Sequence, residues 1–249
     1  MRYAIYFAAS AEDRLMQLGN AWLGRDPFAA EDLLQPTLEG LEAERFHALT
    51  VNPRRYGFHG TLKAPFHLHH DKTEAGLVAA CKEFAGLVSP FEIQGLSVNR
   101  LGKFLALTPD QSEPELSAFA ATCVRQFEAF RAPLSKADLQ RRRQSNLTPR
   151  QDSYLVDWGY PYVFDEFHFH MTLSNKLDDD REAELIAAEA RSHFGSVTGR
   201  PRTCGSFALY LETERGTPFE VHSVFELTGD IGPVEAESRS GGVTPKETA

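Results

Sequence analysis

Cysteine is scarce in this chain of 249 residues: Cys81, Cys123 and Cys204 are the whole complement, far apart and without a C-x-x-C pair. That argues against a disulfide framework or a thiolate zinc site, and leaves three reduced core or semi-buried residues as the expectation. Long apolar runs are missing as well. No stretch is long enough to cross a bilayer as a helix, and MRYAIYFAAS passes directly into AEDRLMQL without the h-region and cleavage site of a signal peptide. The expectation is a cytoplasmic protein with no membrane partner. Positive charge is in deficit, with 26 Lys and Arg against 35 Asp and Glu and a formal charge of −9. This disfavours broad, non-specific nucleic-acid binding and still permits local basic patches. Walker-type, G-x-G-x-x-G and G-x-S-x-G loops are absent too, so the familiar signatures of nucleotide, dinucleotide and serine-hydrolase chemistry do not apply. No cofactor and no metal are implied.

What is present is ordinary globular material, with 42% hydrophobic and 24% charged residues, enough for one large domain or two small ones with a substantial core. RYAIYFA (2–8) suits a first strand, and Leu15, Leu18, Trp22 and Leu23 give a helical stripe ending near residue 24. A looser stretch broken by Pro27, Pro36 and Pro53 follows, with a short helix in LEGLEAERFHALT. Residues 56–68 read as a strand, 73–88 as an amphipathic helix, and FEIQGLSVNRLGKFLALTP as two strands turning near Asn99-Arg100. A helix over 113–130 precedes a polar, basic connection at about 135–160 that carries Arg141-Arg142-Arg143, read as a solvated surface. Then the order repeats: a strand at 163–174, a helix at 178–194, and two strands around Arg215-Gly216. From Gly229 the composition is that of a disordered tail.

Within this rhyme lie two similar phrases. YGFHGTLKAPF (56–66) holds His59-Gly60-Thr61-Leu62, and FHFHMTLS (167–174) holds His170-Met171-Thr172-Leu173. Side chains two apart on a strand share a face, so each His projects with its Thr while the intervening residues face the core. A lone strand histidine is usually structural; two copies at matching places in two repeats point to chemistry. Two facing imidazoles suit acid–base catalysis at phosphorus: one neutral ring takes a proton, and one charged ring gives a proton to the leaving oxygen. A Thr hydroxyl beside each can donate to a non-bridging phosphoryl oxygen.

These paired hydrophobic-His-x-Thr-hydrophobic phrases resemble the motifs of the 2H phosphoesterase superfamily, and more narrowly a branch encoded in bacterial phosphonate-utilisation operons. The resemblance runs from the first strand to about residue 228. It implies an α+β fold of two similar lobes, each an antiparallel sheet with outer helices, around a central cleft. The expected organisation is one bilobal domain over 1–228, with motif halves at about 56–130 and 163–228, and a tail at 229–249. It also implies metal-independent opening of a cyclic phosphate, with His59 and His170 catalytic and Thr61 and Thr172 binding phosphate. The operon context points to a small phosphorylated substrate, ribose 1,2-cyclic phosphate 5-phosphate. Arg54, Arg55, Tyr56, Lys63, His168 and Lys176 flank the motifs as candidate substrate contacts, Lys63 foremost because strand alternation sets it beside His59 and Thr61.

Two rivals stand beside this reading. A 2′,3′-cyclic nucleotide or RNA-end phosphodiesterase would draw on the Arg141–Arg143 run and on Tyr154, Trp158, Tyr160 and Tyr162 as stacking surfaces. A non-catalytic phosphate-ligand-binding protein would keep the motifs without turnover. His67, His69 and His70 lack a carboxylate or Cys cluster and read as a polar loop rather than a metal site. The sequence carries no signal of oligomeric state.

Overall fold

The computed structural model describes residues 1–240. Seven strands form one hydrogen-bonded sheet: β1 (Arg2–Phe7), β2 (Gly60–Phe66), β3 (Leu96–Leu101), β4 (Phe104–Pro109), β5 (Met171–Thr172), β6 (Ser206–Glu212) and β7 (Glu220–Glu226). Their order is β7-β6-β1-β2-β5-β4-β3, with every neighbouring pair antiparallel. Nine α-helices lie among the described residues: α1 (Arg14–Leu23), α2 (Ala43–Leu49), α3 (Val51–Tyr56), α4 (Glu74–Leu87), α5 (Pro114–Gln126), α6 (Lys136–Arg143), α7 (Pro149–Trp158), α8 (Asp180–Phe194) and α9 (Pro233–Ser240). The class is therefore α+β, built on a large antiparallel sheet.

The two motif strands meet at the middle of the sheet, where Gly60 pairs with Met171. The hairpins, however, are exchanged between the sequence halves. The β3–β4 hairpin follows the first motif strand in the chain yet pairs with the second, through Ala106↔Thr172 and Leu107↔Met171. The β6–β7 hairpin follows the second motif and joins the first through β1, which lies between β6 and β2. The motif–helix–hairpin order is present twice, but each half is completed by the other half's hairpin. Neither half holds its motif strand in a sheet alone.

Local signals fix the helices. Asp13 caps α1 by accepting from Leu15 N at 2.9 Å, and Gly24 ends it in the left-handed conformation at φ 79°. Thr148 and Gln151 form a capping box at the start of α7, behind which Pro149 occupies the first turn. This turns the expected loose connection into a helix. The β3–β4 turn falls at Gly102 (φ 58°) rather than at Asn99-Arg100, both of which stay in the ladder.

The sheet has unlike faces. Ile5 and Phe7 on β1 face the apolar core, where Phe84 from α4 and Phe119 and Cys123 from α5 are buried with Phe207. All three cysteines are free and buried. α8 covers β3 and β4. Trp22 on α1, fully buried, donates from Nε1 to the carbonyl of Leu173 at 2.9 Å and packs edge-on to Phe46. That hydrogen bond is one of those that hold the end of the second motif, where Leu173 N also donates to Leu105 O at 2.8 Å.

The segment from Gly229 to Ser240, expected as tail, belongs to the fold; residues 241–249 lie outside the described residues. Ser89 N donates to Ile231 O at 2.9 Å, Gly229 N donates to Val88 O at 3.0 Å, and α9 packs on α5. Polar composition hid this, because three buried apolar residues, Ile231, Pro233 and Ala236, are enough to seat the segment. Replacing Ile231 by Ala should therefore lower stability by about 2 kcal/mol, measured by urea unfolding, whereas an unattached tail would give no change.

Candidate active site

Extending the Gly60↔Met171 pair by one residue each way sets Thr61 opposite His170 and His59 opposite Thr172. Directly opposed residues of an antiparallel pair share a face, so the four side chains form a square on one side of the sheet. His59 Nε2 lies 3.2 Å from Thr61 Oγ1. The intervening residues point the other way. Gly60 must lack a side chain, because a Cβ there would run into the Phe169 ring, which in turn meets Phe7 edge-on. Gly57, at φ 76°, turns the chain out of α3 into the motif.

The two imidazoles are held alike. His59 Nδ1 is 2.8 Å from Gly57 O, and His170 Nδ1 is 2.8 Å from His168 O, in both cases the carbonyl two residues earlier. A carbonyl only accepts, so each Nδ1 carries its proton and each Nε2 is left for chemistry. Their surroundings differ. The His59 ring stacks on buried Tyr6 at 3.6 Å, and burial lowers its pKa to about 4, with the Gly57 bond opposing and the His170 charge assisting. Burial lowers the pKa of His170 as well, again opposed by its backbone bond. Phe104, 5.7 Å from the His170 ring, lines the adjoining cleft. That cleft, about 270 Å³, is bounded by Tyr56, His59, Phe104, Thr172, Ser174 and Lys176.

The flanking candidates divide. Tyr56 and Lys176 line the cleft, the latter exposed. Lys63 does not face it. Tyr6 pairs with Thr61 but Ile5 pairs with Lys63, so Leu62 is an extra residue in β2 and the alternation flips. Lys63 is thereby turned to the core side, buried, with Nζ donating to Val124 O and Glu128 Oε2, each at 2.8 Å. Arg54 is also buried and structural: it donates to Leu23 O at 2.7 Å and to Thr50 Oγ1 and His47 O at 2.6 Å. Arg55 lies over the Tyr56 ring at 4.2 Å and pairs with Glu212. His168 serves the site through its carbonyl. Tyr154, Trp158, Val163 and Phe164 form a small core of their own, leaving Tyr162 as the exposed aromatic of that cluster. His69 pairs with Asp71 and His67 bonds the Met1 carbonyl, as a polar loop would.

Sequence reasoning named Arg55 and read the Arg141–Arg143 run as a solvated surface, but offered no binding role for Arg2 or Arg215. Arg141, still half-exposed, and Arg142 of α6 line a cavity with Arg2, Arg55 and Arg215, while Arg143 pairs with Asp152 at 2.6 Å. The run of three gave a signal of charge but none of direction.

The chain belongs to the family described as "Protein of unknown function (DUF1045)", whose model matches residues 61–220. It is 35% identical over 221 residues to "Ribose 1,5-bisphosphate phosphokinase PhnN" of Janthinobacterium sp. (strain Marseille), covering 88% of this chain and 49% of that protein. The protein of the same name from Laribacter hongkongensis (strain HLHK9) is 32% identical over 222 residues, covering 89% and 50%. This chain thus spans about half the length of the curated relatives it matches. Among solved structures, the crystal structure of TT0787 of Thermus thermophilus aligns with 93% of this chain and 100% of its own, at 15% identity and a TM-score of 0.44. No helix among the described residues is long and apolar enough to cross a membrane.

Histidine titration by NMR should find His59 near pH 4 and His170 below the ordinary 6.5, the smaller displacement belonging to His170. Burial favours the neutral ring, so a phosphate anion bound between them should move both upward. Two histidines titrating at their ordinary value would show the rings to be freely hydrated.

Proposed function

We propose that this chain opens a cyclic phosphate on a small sugar phosphate by paired-histidine acid–base catalysis, as the 2H-like motifs suggest. The observation that carries it is the square of His59, Thr61, His170 and Thr172, with each histidine presenting Nε2 to the same face. Neutral His59 is the base: its Nε2 takes a proton from water as the water oxygen attacks phosphorus. The bond from phosphorus to one ring oxygen breaks, and His170 Nε2–H protonates that oxygen, leaving a phosphomonoester and a hydroxyl. Thr61 and Thr172 donate to the non-bridging oxygens, where charge accumulates. His59 takes the base role because its environment holds it more firmly neutral.

The relatives' name supports the substrate class rather than the reaction. Ribose 1,5-bisphosphate is a pentose with phosphates at both ends, and ribose 1,2-cyclic phosphate 5-phosphate differs from it by closure of one ester. The kinase activity in that name is given to proteins twice as long. This chain has no G-x-x-x-x-G-K-[ST] loop to cradle a nucleotide triphosphate.

Phosphorus NMR in EDTA should show ribose 1,2-cyclic phosphate 5-phosphate opening to a monoester. Either His59→Ala or His170→Ala should slow turnover roughly 100- to 10,000-fold, and Thr61→Val or Thr172→Val on the order of 100-fold. A strict metal requirement, or full activity in a histidine variant, would sink the mechanism. The pH dependence of kcat/KM should be a bell on the acid side of neutrality. Activity rises as His59 loses its proton near pH 4 and falls as His170 loses its own below 6.5. An alkaline limb above about pH 7 would exclude His170 as the acid.

A further inference from the structure

Beside the histidine cleft is a second cavity, about 440 Å³, lined by Arg2, Arg55, Arg141, Arg142, Arg215 and Tyr56. We propose that it binds a second phosphate, a terminal monoester on the same small substrate whose cyclic phosphate is opened at His59 and His170. The inference rests on the reading of the histidine cleft given above and assigns what holds the far end of the substrate.

Charge carries the argument. Arg2 and Arg55 share one buried carboxylate, Glu212, the latter at 2.8 Å. Arg141 and Arg215 share another, Asp138, at 2.8 and 2.9 Å. Arg142 has no ion pair among the described residues; its Nε is buried without a hydrogen-bond partner, and its guanidinium lies 5.3 Å from the Tyr160 ring. Five guanidiniums therefore face two carboxylates, leaving three positive charges in excess in a chain whose total is −9. Like charges crowded together raise the energy of the unliganded protein, and Arg142 in particular is disfavoured by burial and by Arg141 and Arg2 beside it. A buried donor without an acceptor is equally costly. A phosphate dianion answers both, offering oxygens to the planar forks and neutralising the excess.

Geometry ties this cavity to the chemistry. Tyr56 is a wall common to both spaces. Its ring centre is 4.2 Å from the Arg55 guanidinium carbon and 6.4 Å from the His59 ring centre, so those two groups are no further apart than the sum of these spans. A pentose bearing phosphoryl groups at its two ends bridges such a distance. Three uncompensated charges gathered in one pocket fit the dianion of a terminal monoester better than the singly charged diesters of a polynucleotide.

Calorimetry with ribose 5-phosphate, which lacks the cyclic ester, tests the site directly. The intact protein and the His59→Ala/His170→Ala variant should both bind it, and Arg142→Gln and Arg215→Gln should each weaken binding by about 10- to 100-fold, with unchanged melting temperatures as the check on folding. Binding that survives in both arginine variants, or is lost only with the histidines, would overturn the assignment. In turnover, the preference for ribose 1,2-cyclic phosphate 5-phosphate over ribose 1,2-cyclic phosphate should fall by a similar factor in Arg142→Gln. If ribose 5-phosphate binds through the arginines while no cyclic phosphate opens, the second site stands and the catalytic reading falls. If ring opening proceeds with no loss of preference in either variant, the reverse holds. Tighter, arginine-dependent competition by a short oligoribonucleotide than by ribose 5-phosphate would transfer the cavity to an RNA backbone and overturn the small-substrate proposal.

Discussion

The pairing of Gly60 with Met171 is the contact on which the site depends. A histidine and a threonine on one strand share a face through the pleat alone, but nothing in either strand sets the two pairs together. One register does so, and a slip by a single residue would turn one pair to the opposite face. The register is held from several sides. Phe169 occupies the space that a side chain at position 60 would need, Leu105 exchanges bonds with Leu173 and Ser174, and Trp22 grips the Leu173 carbonyl. The glycine in His-Gly-Thr is thus a packing requirement of the second motif, not of the first.

The same interlocking explains why the sheet is assembled crosswise. A two-residue strand such as β5 has too few ladder bonds to hold itself, and it is flanked by β2 on one side and β4 on the other. Because β4 comes from the first half of the chain and β6–β7 from the second, separating the halves would strip each motif strand of a neighbour. Position of the histidines is thereby coupled to folding of the whole chain rather than of one lobe.

Much of this was legible in the residues. Period-two and helical patterning located β1, β2, α1, α4, α5, α8 and both hairpins, and the two His-x-Thr phrases marked the four residues of the square. What was not legible required knowledge of partners. The exchange of hairpins leaves no trace in local propensity, since the strands are the same whichever neighbour they take. The flip of Lys63 comes from one extra residue at Leu62, visible only in the register against β1. Arg54 and Arg55 are adjacent and equally basic, yet the helical turn sends one into carbonyls of the interior and the other over Tyr56. The polar segment 229–240 is seated by three buried apolar residues and backbone bonds to the end of α4, too few residues to register as a pattern.

The electrostatics of the two cavities are complementary. In the histidine cleft, burial favours the uncharged form of both rings, and that of His59 also stacks on Tyr6. In the arginine cavity, fixed cations are concentrated that no physiological pH can discharge, because the guanidinium stays protonated. Tyr56 is a wall of both, its ring centre 4.2 Å from the Arg55 guanidinium carbon and 6.4 Å from the His59 ring centre. Proton transfer needs groups that change charge near working pH, whereas anchoring an anion needs groups that do not. In the proposed function, placing the two kinds in adjoining spaces would let binding energy from the far end of a substrate fix its reacting phosphorus over the histidines. An acidic chain holds such a basic pocket because α6 brings Asp138 together with Arg141 and Arg142 to Arg2, Arg55 and Arg215, so that among the described residues two carboxylates pair with four of the five guanidiniums and Arg142 is left without one.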